Sequence, residues 1–211
     1  MLEKRFLHNL PNFIIKGPLL FIAPIEHTLK GFHFDGSNFD KKSFYVNVFF
    51  MPLYKPSQHI YLTFGRRLGD GGGDRWSTDE VGFETRLEAA MQKELPFLAG
   101  LKTALNVADA LKPFLGNNPH CHEAFSYALA KAGEIRSAVD AIDTLLKLIE
   151  SLKHANPKLT WELEIAERAN LLKTKLTGNA DIADAQLALW ESETLRNLGL
   201  EAFSVTCKKI V

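Results

Sequence analysis

The spacing of apolar residues along this chain changes from every second position to every third or fourth position near residue 75. Residues 59–64 alternate between apolar and polar side chains, which predicts a strand with one face in a core. In residues 44–51 the one polar residue is Asn47, so this run predicts a strand that is covered on both faces. The two runs together predict a hairpin at the centre of a sheet.

Shorter apolar runs upstream predict the other strands of this sheet. Residues 13–15 and 19–22 are rich in β-branched or aromatic side chains and are separated by Gly17-Pro18, a turn signal. Residues 32–35 form a further short alternating run. With the hairpin, these runs predict about four or five strands, and the spacing of apolar residues in residues 2–10 predicts a short helix before them.

Beyond residues 69–74 the sequence predicts helices. Ser77 and Glu80 have the spacing of a capping box, which predicts a helix start, and Pro96 is expected to end that first helix. The predicted helices span about residues 81–95, 98–111, 120–132, 138–152, 159–176 and 180–199. Asn179 is the expected N-cap of the last helix and Gly199 its expected end. The apolar positions that mark this last helix are Ile182, Ala185, Leu189 and Leu195.

These patterns predict an α+β fold in two parts. Residues 1–74 are expected to form a small, mainly antiparallel N-terminal sheet, and residues 75–199 an all-α region of about three antiparallel helical hairpins. Residues 200–211 form a C-terminal tail in which residues 203–208 alternate between apolar and polar side chains, which predicts a strand that returns to the N-terminal sheet.

One predicted hairpin resembles a known repeat. Residues 127–133, Tyr-Ala-Leu-Ala-Lys-Ala-Gly, followed by Ala138 and Leu145, resemble the core of a tetratricopeptide repeat over about residues 124–146. The resemblance implies a closely packed helix pair, and stacked pairs of this kind form concave binding surfaces. It covers one unit, because the flanking hairpins do not repeat these residues. The hairpins recur about every 40 residues, whereas that family repeats about every 34. Residues 52–56 and 66–68 are faintly similar to stretches in uncharacterised bacterial proteins, a similarity that carries no function.

Composition narrows the range of partners and compartments. The 25 basic and 25 acidic residues cancel, so no global positive field attracts nucleic acid or an anionic membrane. Cys121 and Cys207 are the only cysteines, too few for a disulfide framework and typical of a reducing compartment. The N-terminal residues resemble neither a signal peptide nor a membrane span, so we expect a cytoplasmic protein.

The motifs of the common enzyme classes are absent from the sequence. It contains no G-x-S-x-G, H-E-x-x-H, C-x-x-C, kinase or dinucleotide-binding pattern. The glycine-rich residues 69–74 lack the Gly-Lys-Ser/Thr of a P-loop, so we interpret them as a flexible linker or a wide hairpin tip. His120-Cys121-His122 falls at a predicted helix start, where alternate side chains diverge and cannot share one ion. The sequence therefore predicts no cofactor and no metal site.

Two groups of side chains are candidates for a partner-binding surface around the hairpin. Arg66 and Arg67, with Lys55 at the other end of the hairpin, can grip a carboxylate or phosphate, and pairing with Asp70 and Asp74 is the competing interpretation.

Tyr54, in a proline-flanked loop, and Trp76, beside the first predicted helix, are the aromatic members of this surface. Packing inside the protein is the competing interpretation for both. Our leading hypothesis is a non-catalytic, cytoplasmic protein of the immunity, accessory or adaptor type. Such a protein would bind another protein through this loop or a helical groove.

Two further hypotheses belong to other classes of function. The first is a motif-poor enzyme, of hydrolase or nuclease type, whose site on the N-terminal sheet would use His33, Asp35, His59 and Arg66. A converging cluster of these four side chains in a pocket would favour it. The second is a homo-oligomer in which an apolar helical face is buried by a second copy.

Overall fold

The sheet predicted for the N-terminal part is present in the computed structural model, which describes residues 2–10, 12–36, 40–71, 73–155 and 161–205. Within these residues, six strands form one sheet in the order β1-β2-β3-β4-β5, and β6 pairs with β4 beside β5. The strands are β1 (Phe13–Lys16), β2 (Leu19–Ile22), β3 (Thr28–Gly36), β4 (Ser43–Pro52), β5 (Gly65–Arg67) and β6 (Arg75–Ser77). A 3-10 helix, Leu2–Asn9, precedes β1, where the sequence predicts a helix.

The central strand forms where the apolar run predicts it. Strand β4 is buried at eight of its ten positions, and Tyr45 and Asn47 are intermediate, which confirms a strand covered on both faces. The predicted second strand at residues 59–64 is misplaced, because pairing with β4 begins at Gly65. Glycine permits this close approach, since a Cβ on Gly65 would lie 2.6 Å from the Val48 carbonyl oxygen.

One face of the sheet forms a core with helix α1 (Phe83–Gly100). Buried side chains of β3 and β4 pack in one apolar cluster with those of α1. The main members are Phe32, Phe34, Val46, Val48, Leu87, Met91 and Leu98.

Both predicted boundaries of the first helix are wrong. Ser77 is the last residue of β6, and its hydroxyl accepts a local hydrogen bond from the Asp79 backbone instead of capping a helix. The helix begins at Phe83 and continues through Pro96 to Gly100. Packing of the fully buried Leu98 outweighs the one backbone hydrogen bond that Pro96 cannot donate.

The helices that follow α1 are α2 (Ala104–Leu111), α3 (Pro119–Lys131), α4 (Ile135–Ala155), α5 (Trp161–Gly178) and α6 (Ala180–Leu198). The last four helices lie close to their predicted positions, whereas α2 begins well after its predicted start at residue 98, because α1 continues to Gly100. Gly133 makes the α3–α4 turn with φ +80°. The Asn179 side chain caps α6 by accepting a hydrogen bond from the Asp181 backbone, and Gly199 ends α6 in the left-handed region. These two predicted boundaries are confirmed, as is the α+β class.

The chain divides into two compact units, each built from separate segments. The first unit comprises the described residues of Met1–Met51, His59–Gly100 and Leu200–Val211. The second comprises Pro52–Gln58 and the described residues of Leu101–Gly199. The seven-residue segment 52–58 is therefore part of the helical unit, although it lies between two strands in sequence.

The predicted C-terminal strand is described only in part. After the 3-10 helix Glu201–Phe203, Ser204 forms a single parallel bridge with Ile25 of the first unit. Residues 206–211, which include the rest of the predicted strand, lie outside the described residues. Among the helices described, none has the length and apolar content needed to span a membrane.

Candidate functional site

Three of the five residues predicted to bind a partner lie inside the protein. Tyr54, Lys55 and Trp76 are all buried. The Trp76 indole donates a hydrogen bond of 2.9 Å to the Leu68 carbonyl oxygen, which satisfies its polar atom within the first unit. Tyr54 and Trp76 are therefore packed inside the protein, which is the competing interpretation given for both.

The two arginines of the predicted surface are exposed but engaged within the first unit. Arg66 forms an ion pair with Glu94 of α1 and lies 5.6 Å from the centre of the Phe97 ring. Arg67 pairs with Asp74 at 3.2 Å and lies 4.1 Å from the centre of the Tyr45 ring. Asp74 is thus the expected partner of Arg67.

The four residues of the hypothetical enzyme site are not brought together. His33 and Asp35 alternate with Phe32 and Phe34 along β3, so they point away from the sheet face that packs against α1. Arg66 is the register partner of Val48 and contacts α1, so it lies on the opposite face from His33.

His59 is exposed in the segment that precedes β5. Burial lowers the pKa of His33 below its usual value, although the Asp35 carboxylate opposes this shift. The sheet therefore presents no pocket that contains all four side chains.

A cleft in the first unit lies between the start of the glycine-rich residues and α1. Its volume is about 420 Å³, and Gly69, Asp70, Arg86, Ala89, Ala90 and Lys93 line it. Asp70 binds Arg86 at 2.8 Å, and Arg86 also pairs with Glu80. The two carboxylates balance the charges of Arg86 and Lys93, so the cleft carries little net charge to select a ligand.

In the helical unit, segment 52–58 enters a buried polar cluster that the sequence analysis did not anticipate. Lys55 Nζ lies 3.9 Å from the carboxylate of Glu123 on α3, a residue with no exposed surface. Arg168 of α5 donates a hydrogen bond of 2.8 Å to the same carboxylate. One buried glutamate therefore faces two cations from two different parts of the chain.

The environment changes the protonation equilibria of this cluster. Burial lowers the pKa of Lys55, and the Glu123 carboxylate offsets part of that change. Burial also lowers the pKa of Arg168, but the Glu123 carboxylate outweighs that effect and raises the pKa overall. Burial raises the pKa of the Tyr127 phenol well above its usual value, and Glu123 adds to this. The site therefore favours charged Arg168 and neutral Tyr127.

Helix α6 holds the same segment through hydrogen bonds between α6 side chains and the backbone of the segment. The Thr194 hydroxyl donates to the Lys55 carbonyl oxygen at 3.3 Å and accepts from the Ser57 backbone at 3.2 Å. The Asn197 amide donates to the Ser57 carbonyl oxygen at 3.1 Å. Tyr54 is fully buried, and both burial and the Glu191 carboxylate raise the pKa of its phenol.

Lys55 and Glu123 of this cluster are closed to solvent, whereas the Arg168 side chain is 25% exposed. Lys55 is 7% exposed and Glu123 is fully buried, so a substrate has no direct access to either charge. Among the described residues, no group of three or more His, Cys, Asp or Glu side chains can hold a metal ion. The clearest contribution of the Lys55–Glu123–Arg168 cluster is to fix segment 52–58 in the helical unit. A buried ion pair that lost one partner would be strongly destabilising.

The His120-Cys121-His122 stretch forms the first turn of α3, as the sequence predicts. His120 stacks on Trp161 with ring centres 4.8 Å apart, while the His122 ring nitrogen lies 3.0 Å from the Gly116 carbonyl oxygen. Cys121 is buried, and burial raises the pKa of its thiol, which opposes a nucleophilic role.

An exposed apolar surface lies on the other side of α6 from its buried residues. Of the four apolar positions that mark this helix in the sequence, only Leu195 is buried. Ile182 is 50% and Leu189 is 61% exposed, and Ala185 between them is also exposed. These three residues, here named the α6 stripe, are spaced i, i+3 and i+7 and so share one helix face. No described residue covers this face.

The neighbouring helix carries exposed apolar residues as well. Leu163 is 47% and Leu171 is 44% exposed on α5, at a spacing that keeps them within one broad helix face.

Comparisons with protein-family models, with curated proteins and with solved structures found no match to this chain.

Proposed function

We propose that this chain is a non-catalytic protein-interaction protein that binds a partner protein through the α6 stripe. The observation that carries the proposal is that α6 is apolar on two opposite sides. One side, which includes Leu187 and Leu195, is buried in the helical unit. The other side is the α6 stripe, and an apolar stripe on a helix normally faces a surface that covers it.

The two large side chains of the α6 stripe can contribute to the free energy of binding. Fully burying a leucine or isoleucine stabilises a complex by about 1.5–3 kcal/mol. Ile182 and Leu189 are at least half exposed and would supply part of that free energy when a partner covers them. Ala185 between them is small, which allows a partner backbone to approach α6 closely.

We place the proposed surface on the helical unit instead of the hairpin loop. Tyr54 and Lys55 have no surface to offer a partner, because both are buried. Arg66 and Arg67 can add charged contacts only if they leave Glu94 and Asp74. A cytoplasmic location is part of the proposal, and the free buried thiol of Cys121 supports a reducing compartment.

The test compares partner capture by three forms of the protein. The wild type, the Ile182→Ser/Leu189→Ser variant and the control Val81→Ser would be immobilised in lysate of the native source at moderate salt. Val81 is a fully exposed apolar residue outside the helical unit, so the control removes apolar surface elsewhere. We expect the wild type and the control to retain one partner at a fixed stoichiometry. The double variant should retain it at least about tenfold less well.

The double variant should keep the midpoint of thermal unfolding within about 2–4 °C of the wild type, since it changes only surface positions. Equal capture by all three forms would show that the α6 stripe is not the binding surface.

A further inference from the structure

The charged residues exposed on α5 and α6 are mainly acidic. The acidic ones are Glu164, Glu167, Asp181, Asp184 and Glu193, and the basic one is Arg196, while the basic Arg168, Lys173 and Lys175 of α5 are half-buried. Asp184 pairs with Lys131, and Glu164 lies 4.0 Å from Arg168. Within the described part of the chain, the other three acidic residues form no ion pair. Their negative charge is therefore left for another molecule to neutralise.

Resting on the function proposed above, we propose that the partner segment is an amphipathic helix whose apolar face is flanked by lysine or arginine. A spacing of i, i+3 and i+7 matches the way two helices pack along one face. Glu193 lies one turn beyond Leu189 on the same side of α6, and Asp181 adjoins Ile182 at the other end. Basic side chains that flank the partner's apolar face would meet these carboxylates.

The same charges argue against two other occupants. A second copy of this chain would bring acidic α5 and α6 surfaces together, and like charges across an interface oppose association. An anionic membrane surface would repel the same carboxylates. A basic helical segment of another protein satisfies both the apolar and the charged part of the surface.

The experiment uses two synthetic peptides of about 18 residues, a length sufficient for five helical turns. Both carry leucines at i, i+3, i+4 and i+7, flanked by lysines in the basic peptide and by glutamates in the acidic one. Binding to the full chain would be measured by fluorescence anisotropy at about 50 and about 300 mM salt. Sedimentation of the protein alone would report its oligomeric state.

We expect the basic peptide to bind at least about tenfold more tightly than the acidic one at low salt, with a smaller difference at high salt. Ile182→Ser/Leu189→Ser should weaken basic-peptide binding about tenfold. Glu167→Gln/Glu193→Gln should weaken it about threefold and leave the acidic peptide unaffected or improved. Asp140→Asn, which removes an exposed carboxylate from α4, is the matched control and should change neither.

Equal affinity for the two peptides, or no binding of either, would overturn the inference about the partner's charge. A dimer that dissociates in Ile182→Ser/Leu189→Ser would identify a second copy as the occupant and overturn it as well. If stripe-dependent capture of a native partner persists in those cases, the proposed function stands and only the inference fails. If native capture does not depend on the stripe, both fail.

Discussion

Helices α4 and α6 both carry apolar residues at helical spacing, yet the two helices place those residues in opposite environments. In α4 the periodic residues face the interior, and the buried ones are Ala138, Ile142, Leu145 and Ile149. In α6 the residues at Ile182 and Leu189 face solvent, whereas the polar Glu191 and Thr194 are fully buried. Helical spacing of apolar residues therefore marks a face that another surface covers, without specifying whether that surface belongs to the same chain.

The presence of the polar residue Thr194 on the buried side of α6 has a physical cause. Thr194 meets the backbone of segment 52–58 with its hydroxyl, so a polar side chain at this position satisfies two backbone groups. Helix α4 packs against α3 and α5, and its buried side chains Ala138, Ile142, Leu145 and Ile149 are all apolar.

The largest expected difference comes from truncating one leucine in each helix. Leu145→Ala in α4 should lower the free energy of unfolding by about 2–5 kcal/mol, because it leaves a cavity in the helical unit. Leu189→Ala in α6 should change it by no more than about 0.5 kcal/mol, because the side chain is mostly in water. Urea denaturation of both variants measures the difference, and similar losses would mean that the α6 stripe is packed within this chain.

A smaller effect on the free energy of unfolding is expected from removing a polar contact on the buried side of α6. Thr194→Val keeps the shape of the side chain but removes the hydroxyl that bonds the Lys55 and Ser57 backbones. The free energy of unfolding should fall by about 1–3 kcal/mol, since buried polar groups lose their partner. Thr144→Val on the exposed side of α4 is the matched control. Equal effects of the two substitutions, measured by urea denaturation, would contradict this role of Thr194.

The cap of α6 should contribute less. Asn179→Ala removes the side-chain oxygen that accepts a hydrogen bond from the Asp181 backbone at 2.9 Å. We expect a loss of about 1 kcal/mol in the free energy of unfolding, and Asn179→Asp should restore most of it. Helicity measured by circular dichroism during thermal unfolding would test both variants; an Asn179→Asp variant as unstable as Asn179→Ala would argue against a capping role.

The smallest effect is a pH dependence that involves Lys55. Burial lowers its pKa in the folded protein, so at alkaline pH the unfolded chain holds this proton more tightly than the folded one. Raising the pH from 7 towards 10 should therefore increase the stability of the wild type relative to Lys55→Met. Tyr54 and Tyr127 are present in both proteins and cancel in this difference. Urea titrations at both pH values measure the difference in free energy of unfolding between the wild type and Lys55→Met. A difference that stayed constant or fell with rising pH would refute the lowered pKa of Lys55.

Local sequence signals predicted most of the helices but not the interior polar contacts. Asn179, Gly133 and Gly199 act within a few residues of themselves, so their sequence context is sufficient to locate α3, α4 and α6. The burial of Tyr54 and Lys55 depends on α3 and α6, which are distant in sequence, and no local pattern reports it.

The errors in the sheet region have the same origin. Residues 59–64 alternate like a strand, and Phe64 is buried and stacks on Phe50 with ring centres 5.6 Å apart, yet pairing with β4 begins only at Gly65. Pro96 is a local helix breaker, but packing of Leu98 keeps α1 intact beyond it. In both cases tertiary packing decides between alternatives that local propensity leaves open.

The division of both units into separate segments affects how the chain can fold during its synthesis. Segment 52–58 leaves the ribosome well before α3 and α6. Lys55 can therefore form its contacts with Glu123 and Thr194 only after those residues have been synthesised. The first unit in turn is completed only when residues beyond 200 return to Ile25. Contacts this distant in sequence slow folding, so neither unit can finish as an early, independent intermediate on the ribosome.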